Sequence, residues 1–144
     1  MLRLAAFAVT SALAAAAAGP LPPLPEPLGR LLSGGPDRLT ITMANTGNRQ
    51  MDRKYELECG PVGGNHPWPE ESCATLERLA AEGKDPFAPV SERQICTTEH
   101  GGPATARITG TWHGRKVDAA FRRTNGCEIN RWDELEPLLP SGRS

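Results

Sequence analysis

The cysteine and histidine side chains, the first candidates for zinc ligation, nucleophilic attack or thiol oxidation, are few and unevenly spaced. They are Cys59, Cys73, Cys96 and Cys127, with His66, His100 and His113. A zinc site needs deprotonated Cys or His at compact spacing. No C-x-x-C occurs and the histidines are scattered, so no metal is expected. The histidines read as surface or loop residues. No Gly-x-Ser-x-Gly elbow accompanies them, so neither an enzyme nor a cofactor is expected. The chemistry left to four cysteines in a small chain is oxidation to two disulfides. Three pairings are open. Cys96 sits in a short polar stretch, residues 94–103 (QICTTEHGGP), and Cys127 ends the segment 123–127 (RTNGC). The two segments together describe a loop fixed at its base and held out from a small domain.

The chain of 144 residues is long enough for one modest domain. Residues 1–18 (MLRLAAFAVTSALAAAAA) have a basic start, a short apolar run and an Ala-rich end. They read as a secretory signal peptide cleaved near Ala17 or Ala18, and the run is too short and Ala-rich for a spanning helix. The expected location is therefore secreted and extracellular, with no membrane association after cleavage. Arg3 is the only charge in that leader, so 16 basic residues become 15 against 17 acidic, a net charge of −2. Without a basic aromatic stripe, nucleic acid is not an expected partner. Residues 19–37 are rich in Pro and Gly and read as a linker.

The elements that must position the loop follow from residue 38. Residues 39–43 (LTITM) alternate apolar and polar, as a half-buried strand does, and 45–48 (NTGN) form a turn. Residues 54–59 (KYELEC) make a second strand with Tyr55, Leu57 and Cys59 on one face. Residues 60–67 are a turn-rich loop. From Glu70 to Glu82 the apolar positions Cys73, Leu76, Leu79 and Ala80 recur at helical steps, Pro69 suits the first turn, and Gly83 ends the helix. Residues 106–112 and 115–121 form a hairpin with His113 and Gly114 at its tip, and Trp112 packs on the sheet. Residues 128–137 make a short closing turn, and 138–144 a frayed tail. The sum is an α+β domain at 38–137, an antiparallel sheet with a main helix on one face.

Four pieces then line up in order: Cys59, His66-Pro67 and Cys73 running into the helix; Ile95-Cys96-Thr97; Gly110-Thr111-Trp112-His113-Gly114; and Thr124-Asn125-Gly126-Cys127. Over about residues 38–132 this pattern resembles the Streptomyces subtilisin inhibitor family of secreted serine protease inhibitors. The resemblance implies a five-stranded antiparallel sheet with two helices. It implies disulfides Cys59–Cys73 and Cys96–Cys127, and a homodimer through sheet faces. Those pairings also make local sense, one tying a strand to the next helix and the other tying the loop to the core. A closed loop of about 15 residues contributes roughly 3 kcal/mol.

Carried over residue by residue, the resemblance places the scissile bond at Thr98–Glu99. Ile95, Cys96, Thr97 and His100 would contact the protease, and Asn125 would hydrogen-bond the loop backbone. Such a loop pairs with the enzyme as an added strand already extended, so little entropy is lost. After acylation a clamped loop keeps the new amine beside the ester. The family usually places Met, Lys or Arg before the bond. Thr98 is small and neutral, which excludes strong trypsin inhibition and leaves subtilisin-like or elastase-like enzymes. Gly101 and Gly102 lengthen the loop and are expected to loosen it. The alternative is a non-inhibitory secreted binding module, or a protease substrate, on the same fold. Resistance to cutting at Thr98–Glu99 separates the two.

Overall fold

The computed structural model describes residues 36–141, together with Gly19. The leader and nearly all of the linker lie outside the described residues. Five strands form one antiparallel sheet: β1 Asp37–Ala44, β2 Lys54–Cys59, β3 Gly63–Gly64, β4 Thr105–Trp112 and β5 Arg115–Arg122. Their spatial order is β3-β2-β1-β4-β5. Two helices, α1 Pro69–Ala81 and α2 Gly126–Asp133, complete the domain. The α+β class, five-stranded sheet, two helices and two disulfides match the expectation from the sequence.

Alternation decides which face of the sheet is covered. In β1, Leu39, Ile41 and Met43 are buried while Arg38 and Thr42 are exposed. Opposite them lie Leu57 and Tyr55 of β2 and Gly110, Ile108 and Ala106 of β4. Because side chains on a strand point alternately to the two faces, this register puts every apolar set on one side. Leu76 and Leu79 of α1 join that core, as does Trp132 of α2. The other face carries ion pairs Arg38–Glu58 and Arg107–Asp118.

The helix ends follow from local chemistry. Pro69 stands at the start of α1, with Glu70 and Glu71 in its first turn facing the positive end of the helix dipole. Gly83, at φ 73°, turns the chain out. Its N–H donates to the Ala80 carbonyl and that of Lys84 to the Leu79 carbonyl, the paired bonds of a Schellman ending. Positive φ at His113 (48°) and Gly114 (75°) closes the β4–β5 hairpin in two residues, the geometry that matches strand twist.

Three expectations need correction. The closing segment at 128–137 was expected as a turn; it opens as helix α2, starting at Gly126. The tail was expected from residue 138, yet Leu138 and Leu139 have no exposed surface. Two apolar residues in sequence are insufficient to show this, because their partners come from elsewhere in the chain. His66, read as a surface or loop residue, lies in the loop before α1 but is only 4% exposed. Its Nε2 donates to the Leu138 carbonyl at 3.0 Å and its Nδ1 accepts from the Trp68 N–H at 3.1 Å. The ring thereby ties the C-terminal segment to the entry of α1.

Candidate functional site

The loop at 95–102 leaves the domain between an irregular crossing and β4. Its approach is held from below by Arg131 of α2. That guanidinium donates to the carbonyls of Ala88 (2.8 Å), Phe87 (3.2 Å) and Ala120 (2.7 Å), and it lies 3.8 Å from the centre of the Phe121 ring. Five donors in a rigid plane suit an arginine to bridging several carbonyls at once. Residues 85–89 are thus fixed to β5 and α2 without secondary structure of their own.

Four tethers then hold the loop itself. The first is the disulfide Cys96–Cys127, with Cα atoms 5.3 Å apart. The second is the Gly126 N–H, which donates to the Thr97 carbonyl at 3.1 Å. The third is the Gly101 N–H, which donates to the Arg123 carbonyl at 2.7 Å. The fourth is the Arg123 Nε, which donates back to the Gly101 carbonyl at 3.3 Å. The other disulfide, Cys59–Cys73, joins the end of β2 to α1, with Cα atoms 5.8 Å apart.

Between the tethers the backbone is presented. Thr97, Thr98, Glu99 and His100 are exposed, and Ile95 keeps 97% of its surface in solvent. Among the described residues, none makes a hydrogen bond to the backbone of Thr98, Glu99 or His100. Those N–H and C=O groups are therefore free to pair with the edge of another protein. An isoleucine this exposed gains nothing from folding.

Asn125 does a different job from the one expected. Its backbone is extended and its side-chain oxygen accepts the Glu128 N–H at 2.9 Å, capping α2. It supports the loop one step removed, by fixing the helix end from which Gly126 reaches Thr97. The approach there is close: a Cβ on Gly126 would lie 2.0 Å from Thr97 Oγ1.

Gly101 and Gly102 were expected to loosen the loop. Gly101 is instead bonded at both its N–H and its C=O. A Cβ there would meet the Arg123 Nε and the Ile129 side chain at 3.0 Å. Gly102 has φ +101°, a conformation L side chains rarely adopt. Here glycine admits a close contact and a turn.

Sequence reasoning missed Arg123, which is 5% exposed. It follows Val117, Ala119 and Phe121 at the same two-residue step, so its inward direction was available from the pattern. Its charge argued against burial. The partners resolve this: NH1 pairs with Asp133 at 2.7 Å, and the guanidinium lies 5.5 Å from the Trp132 ring centre.

A group with metal-binding side chains lies elsewhere. Asp37, Glu77 and His113 bring ligand atoms within 4.8 Å of one another. They satisfy each other: the His113 N–H donates to Asp37 at 2.7 Å and its ring nitrogen meets Glu77 at 3.0 Å. The cluster pins the hairpin tip to α1 and β1.

Residues 36–125 match the family described as subtilisin inhibitor-like. The chain is 35% identical over 97 residues to subtilisin inhibitor-like protein 1 of Streptomyces cacaoi, covering 65% of this chain and 84% of that protein. It is 30% identical over 131 residues to kexstatin-1 of Streptomyces platensis, covering 88% of each. Among solved structures, Streptomyces caespitosus sermetstatin in complex with Bacillus licheniformis subtilisin matches with a TM-score of 0.44 and 23% identity, covering 76% of this chain and all of that one.

Proposed function

The chain belongs to the subtilisin inhibitor-like family, and on that premise we propose that it inhibits serine proteases through the loop at 95–102. One observation carries the reading. Among the described residues the backbone of Thr98, Glu99 and His100 has no hydrogen-bond partner, while Thr97 on one side and Gly101 on the other are hydrogen-bonded to the domain. A protease can pair with this strand as with a substrate, at small entropic cost because the strand is already ordered. Thr98–Glu99 is the scissile bond, with Thr98 in the primary pocket and Ile95 in a more distant apolar one. Attack by the enzyme's serine on the Thr98 carbonyl makes an ester and frees the Glu99 amine. The tethers hold that amine close to the ester, so re-formation of the bond competes with hydrolysis. The inhibitor itself supplies no catalytic group.

Thr98 is neutral and small, which suits subtilisin-like or elastase-like pockets and leaves the carboxylate of a trypsin-like pocket without a cation. Two disulfides fit an oxidising compartment, in keeping with a secreted protein released from the leader at 1–18. Among the described residues no helix covers the face of the sheet that carries Arg38 and Arg107, and that face is the surface for a homodimer. Its ion pairs Arg38–Glu58 and Arg107–Asp118 each balance in charge, so they set up no net repulsion between two copies of the face. Light scattering across a concentration series tests that assembly.

The inhibitor reading is tested with subtilisin and the disulfide-intact protein, titrating residual activity and mapping cuts by mass. Stoichiometric loss of activity with slow, incomplete cleavage at Thr98–Glu99 is expected. Full activity with rapid cleavage there would make the protein a substrate. Full activity with no cleavage would move the test to an elastase-like enzyme.

A further inference from the structure

We propose that Arg123 is the residue that retains the amine-bearing half of the loop and so sets the balance between resynthesis and hydrolysis. This rests on the inhibitor reading above. In the step itself, the protease serine oxygen bonds to the Thr98 carbonyl carbon and the Thr98–Glu99 bond breaks. The enzyme's base passes the serine proton to the departing Glu99 nitrogen. Return is the reverse: the Glu99 amine attacks the ester, the peptide re-forms, and the serine regains its proton. Water attacking the same ester gives the Thr98 carboxylate and ends the cycle. Which path wins depends on how long the amine stays near the ester.

The disulfide keeps the two pieces joined, since Cys127 lies on the amine-bearing piece, but it does not fix the Glu99 amine in place. Cys96 lies before the cut, so Cys96–Cys127 and the Gly126 N–H to Thr97 bond hold the acyl half. On the amine side only Glu99 and His100 separate the cut from the tether at Gly101, and two residues span at most about 7 Å. Gly101 is gripped by one residue at both ends of its backbone, by the Arg123 carbonyl at 2.7 Å and the Arg123 Nε at 3.3 Å. The guanidinium is in turn fixed by Asp133 at 2.7 Å and by packing on Trp132. A charged donor in a shielded site makes a stronger hydrogen bond than a neutral one, and a side chain already ordered loses little entropy in holding it. The glycine is part of the fit, since a Cβ at 101 would press on Arg123 and Ile129. Arg123 is thus a positioning residue, which acts on the reacting amine through Gly101.

The test compares the disulfide-intact protein with Arg123→Met, Arg123→Lys and a mild core variant in the central strand, Ile41→Val. Catalytic subtilisin is incubated with intact and with pre-cut protein until the ratio of cut to intact at Thr98–Glu99 no longer changes. Arg123→Met should raise that ratio about tenfold, the shift that 1.4 kcal/mol produces. Arg123→Lys should fall between Met and the parent, and Ile41→Val should lower the melting temperature with the ratio unchanged. Amide exchange at Gly101 needs no protease: Arg123→Met should speed it about tenfold relative to Ile41→Val. An unchanged ratio, or an unchanged Gly101 exchange rate, overturns the assignment. If the parent protein fails to inhibit, the inhibitor reading falls by itself, while ratio and exchange still decide the role of Arg123.

Discussion

The two disulfides should contribute almost equally to stability and very unequally to inhibition. Cys96–Cys127 spans a sequence separation of 31, for which the loop-closure entropy is about 12 cal/mol/K, or about 3.7 kcal/mol at 25 °C. Cys59–Cys73 spans 14, about 3.0 kcal/mol on the same basis. The two double-alanine variants should therefore melt within about 5 °C of each other, at roughly 5 °C per kcal/mol for a domain of this size. Their effects on the loop differ. Without Cys96–Cys127, Cys96, Thr97 and Thr98 lose their covalent hold, and ordering three residues again on binding costs about 1–2 kcal/mol each. Inhibition should weaken at least about 100-fold, with faster cutting at Thr98–Glu99. The Cys59Ala/Cys73Ala variant, assayed below its melting temperature, should keep its inhibition constant within about threefold, since that bond joins β2 to α1 and touches no loop residue. The assay pairs thermal melts with subtilisin titration and mass mapping. Equal loss of inhibition in both variants would refute the argument, because global stability would then govern the loop. So would undiminished inhibition in Cys96Ala/Cys127Ala.

Three further outcomes are expected. Burial holds the pKa of His66 below its ordinary 6.5, so the unfolded chain takes up the proton first as pH falls. Stability from this group is fully present above about pH 6.5 and is lost as pH drops from there toward the lowered folded value. Asp52, Glu82 and Asp118 are held below their usual values by Thr46, Arg78 and Arg107 respectively, so they stay charged through this window. Urea midpoints between pH 8 and 5 should fall for the parent and less for His66→Gln; parallel curves would remove His66 as the cause. Gly126→Ala places a Cβ 2.0 Å from Thr97 Oγ1 and should weaken inhibition about tenfold, with Thr97→Ala in the same chain restoring most of it. No recovery in that double-mutant cycle would mean the two residues are not coupled. Thr98→Lys supplies the cation that a trypsin-like pocket needs and should make trypsin inhibition at least about 100-fold stronger. No gain would mean Thr98 does not enter the primary pocket.

Much of the fold was legible because its signals are local. Alternation in 39–43 and 54–59, the three- and four-residue steps from Cys73 to Leu79, and the two-residue tip at His113 and Gly114 each depend only on near neighbours. The resemblance in cysteine spacing then supplied the pairings. The start of α2 was hidden because Asn125-Gly126 reads equally as a turn and as a cap with the first helical residue.

By itself the amino-acid sequence determined the class of the domain, the faces of its strands, the extent of α1 within a residue or so, and the stretch that carries the loop. Only the tertiary structure decided what holds that loop. Arg123 is buried because Asp133 and Trp132, ten and nine residues further on, come back to meet it. His66 is buried because Leu138, 72 residues away, offers a carbonyl, and Leu138 and Leu139 are core because the chain returns there. Gly101 is clamped because the end of β5 passes beside it. Each of these turns on a partner distant in sequence. A charged or polar side chain reads as surface until the group that satisfies it is in place.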